Sequence, residues 1–365
     1  MRTKTSFGLL ILMLILGSGA VSCTKSAVEL RNDEICLRIP VTKATGLSTD
    51  EVFGVYITAN SQPAGTNWAT AWSGEQEYLN GVAFKHFTAA EPSTTQDCWA
   101  GYDYVNNKHI PYYYPVQGSL LAIGYSPYID QSNGTITSVT HNSNLQNQTA
   151  TNPLLTVGFK QTMDPTKMVS LKYFRPADVN DGKSFSKQNS AVPILFHHAL
   201  CKVQFVFTSN AEWYKISNLR LMGCVNEGTF YNANSPGFLP TLSSATNEGY
   251  LLQGTSASLY SGVTSPELLL LPQYTDGLFT SGNTGTFIRL EFDITDKDAF
   301  SAQHVVLSLD SPVSEEAKQD GVIYFTGLTK HWEMGKSYTY NISINPRPID
   351  FTLDIEVFTD TAVEM

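Results

Sequence analysis

Gly-Lys-Ser occurs twice in the chain, at Gly182–Lys183–Ser184 and at Gly335–Lys336–Ser337. A phosphate-binding loop needs a further glycine five residues before the first of these. It also needs a helix after the serine, so that backbone N–H groups and a helix N-terminus face the anion. Ala177 and Lys330 stand at the earlier positions, and the run YTYNISI after Gly335–Lys336–Ser337 alternates as a strand. Both triplets read as turns. His197–His198 suggests a metal, but adjacent side chains on a strand point to opposite faces and cannot share one ion. One is expected in the core and the other in water. DVNDGKSF carries part of the acidic spacing of a calcium loop, with Gly182 where a third oxygen ligand belongs; it reads as a turn. Asp354 and Glu356 share a strand face and read as solvated. No His-Glu-x-x-His or Gly-x-Ser-x-Gly run occurs. The residues point to a protein that is not an enzyme, with no catalytic set, no metal site and no cofactor.

The chemistry that remains lies near the start. MRTKTSFGLLILMLILGSGAVSC opens with Arg2 and Lys4, continues with an apolar run from Phe7 to Leu16 and closes on small residues. These are the three parts of a secretory signal peptide, residues 1–22. A membrane span needs roughly 20 mainly apolar residues, and Gly17, Ser18 and Gly19 interrupt this run well before that. AVSC resembles the bacterial lipobox, whose cysteine takes a diacylglycerol thioether and becomes the mature N-terminus. Cys23 is the expected lipidation site. Of the other cysteines, Cys36, Cys98, Cys201 and Cys224, none forms a C-x-x-C pair. Cys201 shares a face with Val203, Phe205 and Phe207 and reads as a small buried hydrophobe. A Cys201–Cys224 bridge stays open, because sequence does not fix connectivity.

These residues must be held by strands. Only 15% of the 365 residues are charged, while 19 Phe and 18 Tyr sit among plentiful Gly, Ser, Thr and Asn, a composition that suits packed β structure with polar loops. A net charge of −10 and the lack of basic runs argue against nucleic acid and anionic lipid surfaces as partners. ICLRIPV, VFGVYIT, LLTVGFK, FHHALCKVQFVF, PELLLLPQY, TFIRLEFDI, HVVLSLD and SYTYNISI read as strands. Ile129 to Pro153 reads as a long polar loop. Apolar content falls near ADVNDGKSFSKQNSA, which sets a boundary between residues 23–186 and 187–365. Strand spacing in each part suggests a sandwich. PIDFTLDIEVFTDTAVEM closes the chain with one more strand, behind Pro346 and Pro348, which stiffen the connection. WAGYDYVNNKHIPYYYP offers two readings. Trp99, Tyr102, Tyr104 and Tyr112–Tyr114 either stack on sugars or fill one end of the first sandwich.

The order of these features resembles the fimbrillins of Bacteroidetes, the subunits and accessory proteins of type V pili. The resemblance runs from the lipobox through IPVTKATG, FGVYIT, YYYPVQG with GYSPY, FHHALCKVQFVF and LLLLPQ to HWEMGKSYTYNISI. It implies an all-β chain of two tandem transthyretin-like β-sandwich domains and export as a lipoprotein. It further implies display at the outer membrane and cell surface, held by lipid on Cys23, and assembly with other pilin subunits into an adhesive fimbrium. In polymerising members a protease cuts after a basic residue behind the first strand, and a partner's strand fills the groove. Lys43 is the matching position here and Arg38 the second; the family more often carries arginine at this place. The terminal strand is the candidate donor, with Phe351, Leu353, Ile355 and Val357 as its pocket residues, and it is expected to dock on its own sandwich in the monomer. Surface glycans or proteins of host or bacterium are the implied receptors. The alternative function is a monomeric surface lipoprotein that binds glycans through the aromatic cluster.

Overall fold

Residues 33–39, 47–66, 76–88, 98–142, 150–187, 190–241, 249–274, 288–296, 302–309, 322–324, 331–344 and 349–358 are described by the computed structural model. Every regular element among them is a strand, apart from single 3-10 turns at Ile129–Gln131, Pro165–Lys167, Pro176–Asp178 and Asn180–Gly182. The fold is all-β. No helix among the described residues is long and apolar enough to cross a membrane.

A sequence period of two builds the sandwich in the second half of the chain. In Cys201–Thr208 the side chains of Cys201, Val203, Phe205 and Phe207 are fully buried and alternate with half-exposed Lys202, Gln204 and Val206. Lys336–Ile344 repeats the pattern with Tyr338, Tyr340, Ile342 and Ile344 buried. These two strands run parallel, from Lys202 beside Ser337 to Thr208 beside Ser343. The facing sheet runs Tyr250–Gln253, Lys215–Met222, Arg289–Thr295, Gln303–Ser308 and Val322–Tyr324. Ile216, Leu219, Leu221, Leu290 and Phe292 meet the first sheet in one core. Trp332 lies fully buried there, its indole N–H donating to the Tyr340 hydroxyl at 2.7 Å.

The first half is built on a sheet of nine strands. Phe53–Asn60 and Ser119–Ser126 lie antiparallel at its centre, from Gly54 opposite Tyr125 to Asn60 opposite Ser119. Phe53, Val55, Ile57, Leu120 and Ala122 face one core, whereas Tyr56, Leu121, Ile123 and Tyr125 face another. A strand covered on both faces has no polar side, so these segments are mainly apolar, with Thr58, Asn60, Ser119 and Ser126 toward their ends. Gly124 permits the packing: a Cβ there would overlap the Phe174 ring and the Gly54 carbonyl.

The second core is closed by a four-stranded sheet in the order Gly237–Pro240, Glu227–Asn232, Leu155–Lys160, Ile136–His141. Leu155–Lys160 pairs with Glu227–Asn232 over six positions, and Lys160 Nζ lies 3.2 Å from Glu227 Oε2 at one end. Strands from before and after residue 187 thus share a sheet. The polar stretch after Ile129 is also not a simple loop, since Ile136–His141 is a strand within it. It lies on the sheet edge, where only Ile136 is buried, so its β-branched residues rather than apolar ones carry the strand.

Candidate functional site

Residues 33–39 thread through the nine-stranded sheet. Ile35, Leu37 and Ile39 are 0%, 0% and 8% exposed, while Arg38 points outward. Leu37 lies beside Val192 on one side, in parallel, and opposite Trp99 on the other, antiparallel. The backbone is satisfied by three separate segments. Ile35 N donates to Tyr112 O at 2.7 Å and Tyr114 N to Asp33 O at 2.9 Å. Val192 N donates to Cys36 O at 2.8 Å and Ile194 N to Arg38 O at 2.9 Å. Removing these residues would leave unpaired backbone on three segments and an apolar slot between them, each costly to leave open.

Two side-chain links reinforce the insertion. Cys36 forms a disulfide with Cys98, their Cα atoms 5.8 Å apart. On the other side, Glu34 Oε1 lies 2.5 Å from His109 Nε2, with the two side chains 1% and 7% exposed. The Phe87 ring stands edge-on to His109 at 5.2 Å. Burial pushes the Glu34 carboxyl above its ordinary value, and the hydrogen bond and charge of His109 offset only part of that. A pKa raised above 4.5 in the folded state means the folded protein holds this proton more tightly than the unfolded chain. The Glu34 contribution to stability is therefore full below that value and is lost as pH rises through the folded-state pKa. Glu34→Gln keeps an acceptor for His109 and removes the titration. Calorimetry should show melting temperature declining with pH above 4.5 more steeply in the wild type than in this variant; parallel profiles would contradict the assignment.

The terminal strand, Ile349–Val357, pairs antiparallel with Lys336–Ile344 through nine positions, from Lys336 opposite Val357 to Ile344 opposite Ile349. Among the described residues it is the last strand of its sheet, with Lys336–Ile344 beside it. Asn341 Nδ2 donates to Asp354 Oδ2 at 2.9 Å. Ile355, opposite buried Tyr338, is 48% exposed. The side chains of Phe351, Leu353 and Val357 lie outside the described residues, as do Cys23 and Lys43. Just past the strand, Phe358 is 4% exposed. Its ring stacks on His198 at 3.8 Å and 17°, Lys202 Nζ lies 4.9 Å from its centroid, and its N–H donates to Gly335 O at 2.9 Å. The sequence carried no mark of this anchor, because it depends on bringing three distant segments together.

The other chemistry-bearing residues are structural. Gly182 and Gly335 both lie in turns with positive φ, 75° and 71°. His197 is half-exposed and its Nε2 lies 2.9 Å from Asp178 Oδ1, while His198 is buried with Nδ1 3.2 Å from Ser170 Oγ. Burial works to raise the Asp178 carboxyl, but hydrogen bonds from His197 and Arg175 outweigh it and hold it below its ordinary value. Among the described residues no three His, Cys, Asp or Glu side chains gather around a common point. An open cleft of about 360 Å³ lies beside Asp50, Gln131 and Lys172. Its buried charges pair with each other, Lys172 Nζ lying 3.5 Å from Glu51 Oε2. Cys201 and Cys224 are buried free thiols rather than a bridge. The aromatic cluster divides between core and surface, with Tyr102, Tyr104 and Tyr112 half-buried and Tyr113 40% exposed. Trp99 is 7% and Tyr114 9% exposed, and Tyr112 stacks on Phe84. Tyr102 and Tyr104 meet edge to face, with the Tyr102 hydroxyl donating to Asn107 Oδ1. Trp99 and Tyr114 therefore present no face to a sugar.

A fimbrillin-like family model matches residues 177–361, just over half of the chain. No curated protein matches. Among solved structures the chain is similar to a fimbrial protein of Bacteroides vulgatus, with 12% identity, a TM-score of 0.49, and coverage of 90% of this chain and 100% of that one. It is also similar to the tip fimbrial protein Mfa3 of Porphyromonas gingivalis with a C-terminal truncation, with 8% identity, a TM-score of 0.32, and coverage of 85% and 95%. The family match takes in the second sandwich and the strand that closes its sheet edge, and the chain belongs to the fimbrillin-like family.

Proposed function

We propose that this chain is exported as a lipoprotein on Cys23 and serves as a pilus subunit assembled by protease-triggered donor-strand exchange, with the outer surface of the cell as its site of action. Family membership supports a pilus-type adhesion component. The observation that carries the mechanism is the inserted segment 33–39, whose loss opens a slot lined for alternating apolar side chains. Its three buried residues contribute roughly 1.5–3 kcal/mol each, and an incoming strand regains that together with the backbone pairing. The terminal strand, at the sheet edge among the described residues and with a half-exposed Ile355, is the segment best placed to leave and fill such a slot elsewhere. Contacts of this head-to-tail kind do not close and so build filaments. The Arg38 carbonyl accepts from Ile194 N within the inserted segment, where a protease must unfold it first, which favours Lys43 as the cut.

The test is the state of the protein on cells. Cys23→Ser is expected to lose acyl labelling and leave the membrane fraction. Lys43→Ala is expected to keep its lipid and its first strand and to form no polymer. Unchanged labelling in the first variant, or normal maturation in both Lys43→Ala and Arg38→Ala, would remove lipidation or proteolysis from the mechanism.

A further inference from the structure

Cutting the chain behind residue 39 does not free the first strand, because Cys36 is bonded to Cys98 in the body of the sheet. We propose that this disulfide keeps the acceptor slot closed after proteolysis, so that the oxidised chain is an end subunit: it can offer its terminal strand to a neighbour but cannot receive one. The inference rests on the donor-strand reading above and adds a second condition to it. A peptide bond and a disulfide must both break before the slot opens.

The geometry is specific to that outcome. Cys36 lies between Ile35 and Leu37, the two most deeply buried residues of the segment, and its own carbonyl accepts from Val192 N at 2.8 Å. The tether is thus at the middle of the strand and not at a loose end. A severed segment held there keeps an effective concentration at its slot that a competing strand in solution cannot match. Cys98 begins the strand Cys98–Asp103, whose next residue, Trp99, is the register partner of Leu37. The covalent link and the hydrogen-bonded pairing therefore join the same two strands. Outside the cytosol such bonds persist, so the closed form is the resting form of an exported chain. Cys98 is fully buried and Cys36 half-exposed, which directs a reductant to Cys36. A thiolate of a small dithiol attacks Cys36 Sγ and expels Cys98 as thiolate, which takes a proton. The second thiolate of the reductant then displaces Cys36, and the dithiol leaves as a disulfide, two electrons having passed to the two cysteines.

The experiment uses the full chain with residues 41–46 replaced by the recognition sequence of a site-specific protease, so that it does not depend on Lys43. After cutting, the protein is divided into untreated and dithiothreitol-treated portions. Release of the N-terminal piece is followed by size-exclusion chromatography, and labelled peptides are added. Without reductant the piece is expected to stay with the body, and neither a peptide of residues 30–40 nor one of residues 349–358 binds. With reductant the piece leaves and the 30–40 peptide binds at least tenfold better. Cys36→Ser, cut in the same way, behaves like the reduced sample with no reductant present. Equal peptide binding with and without dithiothreitol would overturn the proposal, as would retention of the piece in both the reduced wild type and Cys36→Ser. If reduction admits the 30–40 peptide but not the 349–358 peptide, the disulfide lock stands and the donor role of the terminal strand falls.

Discussion

Deleting residues 349–365 is expected to leave a folded, monomeric protein that forms no polymer under conditions where the intact chain does. Among the described residues the terminal strand lies at the edge of its sheet, beside Lys336–Ile344. Removing it strips pairing from one side of that strand without cutting through the sheet. Lys336–Ile344 keeps its parallel partner Cys201–Thr208 over seven positions. The core around Phe205, Tyr338, Tyr340 and Trp332 has its own contacts across to Leu219, Leu290 and Phe292. Circular dichroism and a cooperative melt check the fold, and electron microscopy checks the polymer. A remainder that unfolds assigns the strand to its own domain, while a remainder that still polymerises removes it from assembly.

Phe358→Ala is expected to loosen the terminal strand selectively. Stacked on His198 and covered by Lys202, this ring is the buried anchor immediately beyond the strand. Truncating a buried Phe to Ala costs about 3–5 kcal/mol where the site cannot collapse. The cost falls mainly on one edge strand, so local opening takes it up before global unfolding does. With each ~1.4 kcal/mol worth a factor of ten, amide exchange in residues 349–357 should accelerate on the order of a hundredfold or more. Amides of Cys201–Thr208 should change little. Uniform acceleration across both strands would show Phe358 to be a general core residue. The same variant should enter polymer faster, since it releases its donor more readily.

The strands that face solvent on one side were readable from their alternation alone, as Cys201–Thr208 and Lys336–Ile344 illustrate, and the same alternation marked Ile349–Val357 as a strand. So were the two turns at Gly182 and Gly335, because turn chemistry is local. Ile136–His141 was hidden by its polarity, since an edge strand has few apolar residues to show. Trp99 and Tyr112–Tyr114 fitted either a core or a platform until the strands around Phe84 and His86 were positioned. Pairings between distant segments left no local trace. That holds for Leu155–Lys160 with Glu227–Asn232, for Cys36 with Cys98 and for Phe358 with His198. Each depends on which surfaces the whole sheet brings together. The candidate site was legible as two strands, one early in the sequence and one late. How tightly the first is locked, and what anchors the second, was not.

Once the first strand has been cut and the Cys36–Cys98 bond reduced, Ile349–Val357 of one subunit is expected to occupy the slot vacated by residues 33–39 of the next. A photoreactive residue at position 355 tests it most directly, because in the monomer that position is half-exposed and opposite Tyr338. Mixed polymers of isotopically heavy and light subunits, irradiated and digested, report which segments are joined. The account predicts heavy–light links from position 355 to the segments that hold the first strand in the monomer, residues 98–101, 112–114 and 190–194. Links confined to the Lys336–Ile344 strand of the same subunit, in fully formed polymer, would contradict it.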